Sequence, residues 1–165
     1  MKTRYVFILI LVSFLLHLLW ENAQAPLYAG YQSFSQHFSI CFVGAIGDVI
    51  ITLFALAFMR LLKKEGLQTI ADYLTLAIIG LVVAVLIEQN ALLVGKWSYA
   101  SAMPIVPWIK IGLMPIIQMT ILLPLSFYLA ELFNKKFDTD ILKRAYEGKR
   151  EFTATSACGR ENLTE

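Results

Sequence analysis

Ser13, His17 and Glu21 stand four residues apart in an otherwise apolar stretch, so on a helix they share one face. A second acid, Asp48, sits near the middle of the apolar run Ile40–Met59, and Glu88 and Gln118 interrupt two further runs. Side chains of these types do proton chemistry. An imidazole takes up and returns a proton near neutral pH, and carboxylates orient it or act as its complement. In that chemistry Asp48 is the general acid and Glu88 or His17 the base, while Glu21, Gln118, Trp97 and Tyr99 surround the substrate. A carboxylate at a helix centre in a bilayer costs roughly 2.5–3.5 kcal/mol, so Asp48 is expected to face a protein interior with a partner.

Each residue also has a structural role. Gly44 and Gly47 precede Asp48 and let another helix approach closely, which would make Asp48 and Gln118 interhelical hydrogen bonders. Glu21 and Glu88 fall at span ends, where solvated surface is expected. Trp20, Trp97, Tyr99 and Trp108 suit an aromatic belt at the membrane boundary. Several chemistries lack their residues. The chain has no H-E-x-x-H zinc motif, G-x-S-x-G elbow, phosphate-binding glycine loop or C-x-x-C pair, and it has only 2 histidines and 2 cysteines. No metal or cofactor is expected, and no basic folded face is present for nucleic acid.

The elements that must position these residues are membrane spans. With 58% hydrophobic and 16% charged residues and a mean hydropathy of +0.67, the chain is too apolar for an ordinary soluble domain. The apolar runs predict an all-α, integral membrane four-helix bundle over residues 1–132, with spans at about 5–21, 39–60, 69–88 and 111–132. Pro26 and Gly30 argue against helix across residues 22–38, and Pro115 and Pro124 are expected to interrupt the fourth span. Ala23-Gln24-Ala25 resembles a signal cleavage site, yet Pro26 would then begin the mature chain, so the first span is expected to be retained.

Phe133, Phe137, Ile141 and Ala145 recur every four residues and predict an amphipathic cytoplasmic helix over 133–147, followed by a disordered tail over 148–165. Placing the N-terminus inside puts all of the 14 Lys and Arg residues in the cytoplasm except Lys96 and Lys110. The positive-inside rule therefore predicts both termini cytoplasmic in a cell inner membrane, with the polar cluster towards the outer face and open to it.

Four pieces form a pattern: Trp20-Glu21 with Pro26-Leu27-Tyr28, Gly47-Asp48, Gly95-Lys96-Trp97-Ser98-Tyr99 with Met103-Pro104, and Gly112-Leu113-Met114-Pro115 with Gln118. The pattern resembles small bacterial multispanning membrane proteins of unknown function, which implies a shared fold and clustered outer-face motifs but no activity. Glu88 followed by Gly95, Trp97, Tyr99 and Pro107 is also similar to a spacing in membrane carotenoid cyclases and hydratases, although the paired-glutamate motif of those cyclases is missing. Three functions remain open. One is an accessory or scaffold subunit docked through small-residue faces on a homodimer partner or a larger membrane protein. The second is an acid/base enzyme acting on a lipid or isoprenoid, and the third a small proton-coupled transporter.

Overall fold

The computed structural model describes the backbone of residues 3–63 and 69–161, and side chains up to residue 139 together with that of Ile141. It is all-helical apart from one two-stranded pairing. Helices α1 (Thr3–Gln24), α2 (Phe34–Leu62), α3 (Ile70–Leu93) and α4 (Leu113–Glu161) make up nearly all of it. Four stretches, Thr3–Leu27, Phe34–Leu62, Ile70–Leu93 and Leu113–Thr139, are long and apolar enough to cross a membrane, which makes this a multi-pass membrane protein. Large apolar side chains such as Phe7, Leu19, Phe54, Ile70 and Leu86 lie exposed along them, as lipid-facing residues do.

The helices overrun the predicted spans, and each end has a local cause. α1 continues to Gln24 and is followed by a single 3₁₀ turn, Ala25–Leu27, that has Pro26 in its first positions. α2 starts five residues early, at Phe34, because residues 34–38 contain no proline or glycine. α3 begins in a capping box in which Thr69 and Asp72 satisfy each other's backbone groups, and Asp72 also pairs with Lys63 at 2.5 Å. At its far end α3 runs past Glu88 to Leu93. Gly95, at φ +66°, closes it: the amide of Lys96 bonds the carbonyl of Ala91 at 2.8 Å and that of Gly95 bonds Leu92 at 3.2 Å. Only a glycine adopts that left-handed position without strain, so the helix ends there and not at the charged residue.

α4 differs from expectation at its start. Ile111 and Gly112 pair antiparallel with Val106 and Ile105, and the helix begins only at Leu113. Pro115 thus falls in the first turn, where an amide has no helical partner to lose, so Pro124 alone is internal and the helix continues through it. The chain forms two compact units, Met1–Ala130 and Glu131–Glu165. The second is the later part of α4, with Glu131 and Lys135 paired at 2.8 Å. Its helical backbone extends to Glu161, beyond residue 148, where composition alone reads as a disordered end. The sequence Lys63-Lys64-Glu65-Gly66 predicts a short charged turn punctuated by Gly66, and residues 64–68 lie outside the described residues.

Within the first unit, Ile8 and Leu9 of α1, Ala55, Leu56 and Met59 of α2, Leu76 of α3, and Leu123, Phe127 and Ala130 of α4 form one apolar core. Leu9, Leu76, Leu123 and Phe127 are fully buried. At the opposite end the two loops knit together: the amide of Ala29 donates to Ser98 and that of Ala100 to Leu27, each at 2.9 Å. A close crossing joins α3 to α4. A side-chain carbon on Gly80 would collide with the backbone carbonyl of Met119, so only glycine permits that approach.

Candidate functional site

The crossing at Gly80 and Met119 seats Gln118, one residue before Met119 on α4, against α1 and α2. Its Nε2 lies 2.9 Å from Glu21 Oε1, 2.9 Å from Asp48 Oδ2 and 3.2 Å from His17 Nδ1. Its Oε1 accepts from Gln24 Nε2 at 2.7 Å, and Gln24 also donates to Glu21 at 3.1 Å. This network fixes the amide's orientation, because a flipped Gln118 would turn its oxygen towards two carboxylates. His17 Nδ1 is 3.1 Å from Asp48 Oδ2. His17 and Gln118 are 0% and 2% exposed, whereas the Asp48 side chain keeps 15% of its surface.

Counting hydrogens assigns the imidazole. Gln118 has two amide hydrogens and three acceptors in range, and the two shorter contacts go to carboxylates. His17 Nδ1 therefore carries its own proton and donates it to Asp48. In the neutral ring this leaves Nε2 as a lone pair, and no partner among the described residues reaches it. One turn along the same face of α1, Ser13 Oγ bonds Thr52 Oγ1 at 2.9 Å, and Thr52 donates to the Asp48 carbonyl at 2.9 Å. Those hydroxyls satisfy each other, and the apolar core lies beyond them, at Ile8 and Leu9 of α1 and at Ala55, Leu56 and Met59 of α2.

α1 and α2 meet here at Gly44, which packs against the Glu21 carboxylate; a carbon on Gly44 would lie 3.4 Å from it, at ordinary contact distance. Cys41, one turn earlier, is buried and its thiol points at the Glu21 carbonyl, 3.6 Å away. At Gly47 such a carbon would meet nothing within 4 Å.

Glu88 belongs to a second constellation. It is 4% exposed, not solvated, because α3 runs on past it and the loop after Gly95 folds back. Its Oε2 accepts from Trp97 Nε1 at 3.2 Å and from the Tyr99 hydroxyl, and its Oε1 accepts from the Tyr28 hydroxyl at 3.5 Å. Tyr28 and Tyr99 face each other across the loop pairing, with ring centroids 5.7 Å apart. Burial pushes both phenols well above their usual range, and the neighbouring Glu88 adds to it, so both act as donors. Gly112 permits this packing, since a carbon there would be 3.1 Å from the Tyr99 ring and from the Met103 sulfur.

The seven predicted residues are thus divided. His17, Glu21, Asp48 and Gln118 converge, whereas Trp97 and Tyr99 hold Glu88, which bonds none of the four. Both oxygens of Glu88 are taken by aromatic donors, which leaves it poorly placed as the base of the first cluster. Sequence reasoning missed Gln24 and Tyr28. Gln24 was legible as the residue three after Glu21 on the same helix face; Tyr28 was not, because its partner comes from the other loop. The expected outward opening is also absent at His17, Gln24 and Gln118, all of which are buried. No set of three or more His, Cys, Asp or Glu side chains is arranged to hold a metal among the described residues. No protein-family model, no curated protein and no solved structure matches the chain, so its chemistry has to be read from this geometry.

Proposed function

We propose that the protein is an intramembrane acid–base catalyst acting on an apolar, lipid-phase substrate of the lipid or isoprenoid class. One observation carries this reading: a fully buried imidazole with a carboxylate on Nδ1 and no partner on Nε2. A buried polar atom without a partner costs about 1–3 kcal/mol, and a purely structural histidine would recover that by bonding. Here the free nitrogen is the basic one. Asp48 holds the tautomer and stabilises the imidazolium formed when Nε2 takes a proton from the substrate, and Gln118 holds Asp48 and Glu21 in place. Glu88 and its aromatic donors tie the loops together and position α3.

The charge distribution supports an inner-membrane location with cytoplasmic termini, and so puts the cluster towards the outer face. Transport is supported less well. Towards the other end of the bundle lie the fully buried Leu9, Leu76, Leu123 and Phe127, and the buried Ser126 among them spends its hydroxyl hydrogen on the Leu122 carbonyl at 2.7 Å.

The test replaces Asp48 by Asn and His17 by Gln, each close in shape but changed in proton chemistry. Both variants are expected at normal membrane abundance, with a precursor accumulating in the extracted lipids of the host. Unchanged lipids together with retained co-purification of a membrane partner would replace catalysis by the accessory-subunit reading. Ion flux in vesicles that disappears with Asp48→Asn would replace it by transport.

A further inference from the structure

The cluster has a hydrogen-bond imbalance that defines what it can receive. Gln24 and Gln118 are its only amide donors, and the four hydrogens on their nitrogens are committed: Gln24 to Glu21 and Gln118, Gln118 to Glu21 and Asp48. Set against them are Asp48 Oδ1, Glu21 Oε2 and His17 Nε2, to which no donor among the described residues is bonded. With both carboxylates ionised, the site has spare acceptors and no spare donor among the described residues. An incoming group must bring its own hydrogen.

The route in is also marked. Of the four converging residues, Asp48 and Glu21 are the ones that keep accessible surface, and both do so at glycines of α2. Gly44 backs the Glu21 carboxylate, and Gly47, one turn from Gly44 and adjacent to Asp48, opens onto empty space. Gly47 lies on the same flank of α2 as Val43, Ile50 and Phe54, which are 67%, 49% and 72% exposed. That flank is the middle of an apolar span, so the medium outside the notch is hydrocarbon.

Resting on the acid–base reading, we propose that the notch at Gly44 and Gly47 admits from the bilayer the hydroxyl head of an otherwise apolar alcohol or phenol, which donates to Asp48 or Glu21. A hydroxyl matches the imbalance at low cost. An ammonium head would also supply hydrogens, but it has to carry a net charge through hydrocarbon to mid-bilayer depth, where a charge is strongly disfavoured. An ether or hydrocarbon supplies none.

The probe is a long-chain alcohol carrying a diazirine near its head, with its methyl ether as the matched compound lacking the hydrogen, each applied to the full-length protein in phosphatidylcholine vesicles. The alcohol is expected to label the α2 segment around Gly47 about tenfold more than the ether, the discrimination that one hydrogen bond to a charged acceptor supplies. Gly47→Leu, whose first side-chain carbon meets nothing within 4 Å, is expected to fill the notch and remove that excess while the melting midpoint holds. Equal labelling by alcohol and ether, or an excess that survives Gly47→Leu, overturns the proposal. Labelling is read without turnover, so the two readings separate. An excess with unchanged host lipids in Asp48→Asn upholds the ligand site and removes catalysis. Altered lipids with no excess remove the ligand site and leave catalysis standing.

Discussion

Gly80→Ala is the sharpest perturbation of the scaffold, because it adds one carbon where α3 and α4 cross. The obstacle is the backbone carbonyl of Met119, so no rotamer change relieves it and the helices must separate. Overpacking of this kind costs about 1–3 kcal/mol. Alanine also returns up to about 1 kcal/mol of helix propensity, which has to be cancelled before the clash can be read. Gly47→Ala provides that cancellation: it makes the same chemical change on a neighbouring helix, and the new carbon meets nothing within 4 Å. The difference between the two variants therefore isolates the crossing. At roughly 2–4 °C per kcal/mol, Gly80→Ala is expected to melt about 2–12 °C below Gly47→Ala in thermal unfolding of the detergent-solubilised protein. Heating is irreversible for many membrane proteins, so apparent midpoints at one scan rate are compared. Equal midpoints would refute the claim that the Gly80 crossing seats Gln118.

Two further predictions concern the loop latch. Glu88→Gln replaces an acceptor oxygen by an amide facing hydroxyl and indole donors, so the amides of Ala29 and Ala100 are expected to exchange with solvent faster while α1 and α2 exchange unchanged; unaltered loop exchange would mean that Glu88 does not hold the pairing. Tyr28 and Tyr99 have phenol pKa values raised by folding, so the latch contributes stability that is complete below the unfolded phenol value of about 10 and is lost as pH rises through the folded values. In a spectrophotometric titration, Tyr28 and Tyr99 are expected to be among the tyrosines that resist ionisation, and Glu88→Gln is expected to bring two tyrosines down towards about pH 10; a titration curve unchanged by Glu88→Gln would contradict the coupling of the pair to Glu88.

Fixed by sequence alone were the number and approximate place of the helices, since apolar length and proline placement act locally. The shared face of Ser13, His17 and Glu21 followed from helical spacing and needed no partner to be known. The ends were less legible. Glu88 looks like a span terminus by its charge, but the stop is Gly95, whose left-handed backbone lets two bonds close the helix. Once α3 is longer, the loop carrying Trp97 and Tyr99 returns over Glu88 and turns an apparently solvated acid into a buried one.

Which polar residues meet was decided only by the tertiary structure. Gln118 could bond any neighbour; it joins His17, Glu21 and Asp48 because Gly80 lets α4 come close. Pairings of this kind depend on interaxial distances set by missing side chains on other helices, and no periodicity within one helix encodes them. Buried hydrogen bonds amplify that dependence, since displacing the Gln118 amide leaves acceptors without partners in a medium that offers none. The free nitrogen of His17 is the clearest product of this assembly: its neighbours took one side of the ring and left the other unbonded.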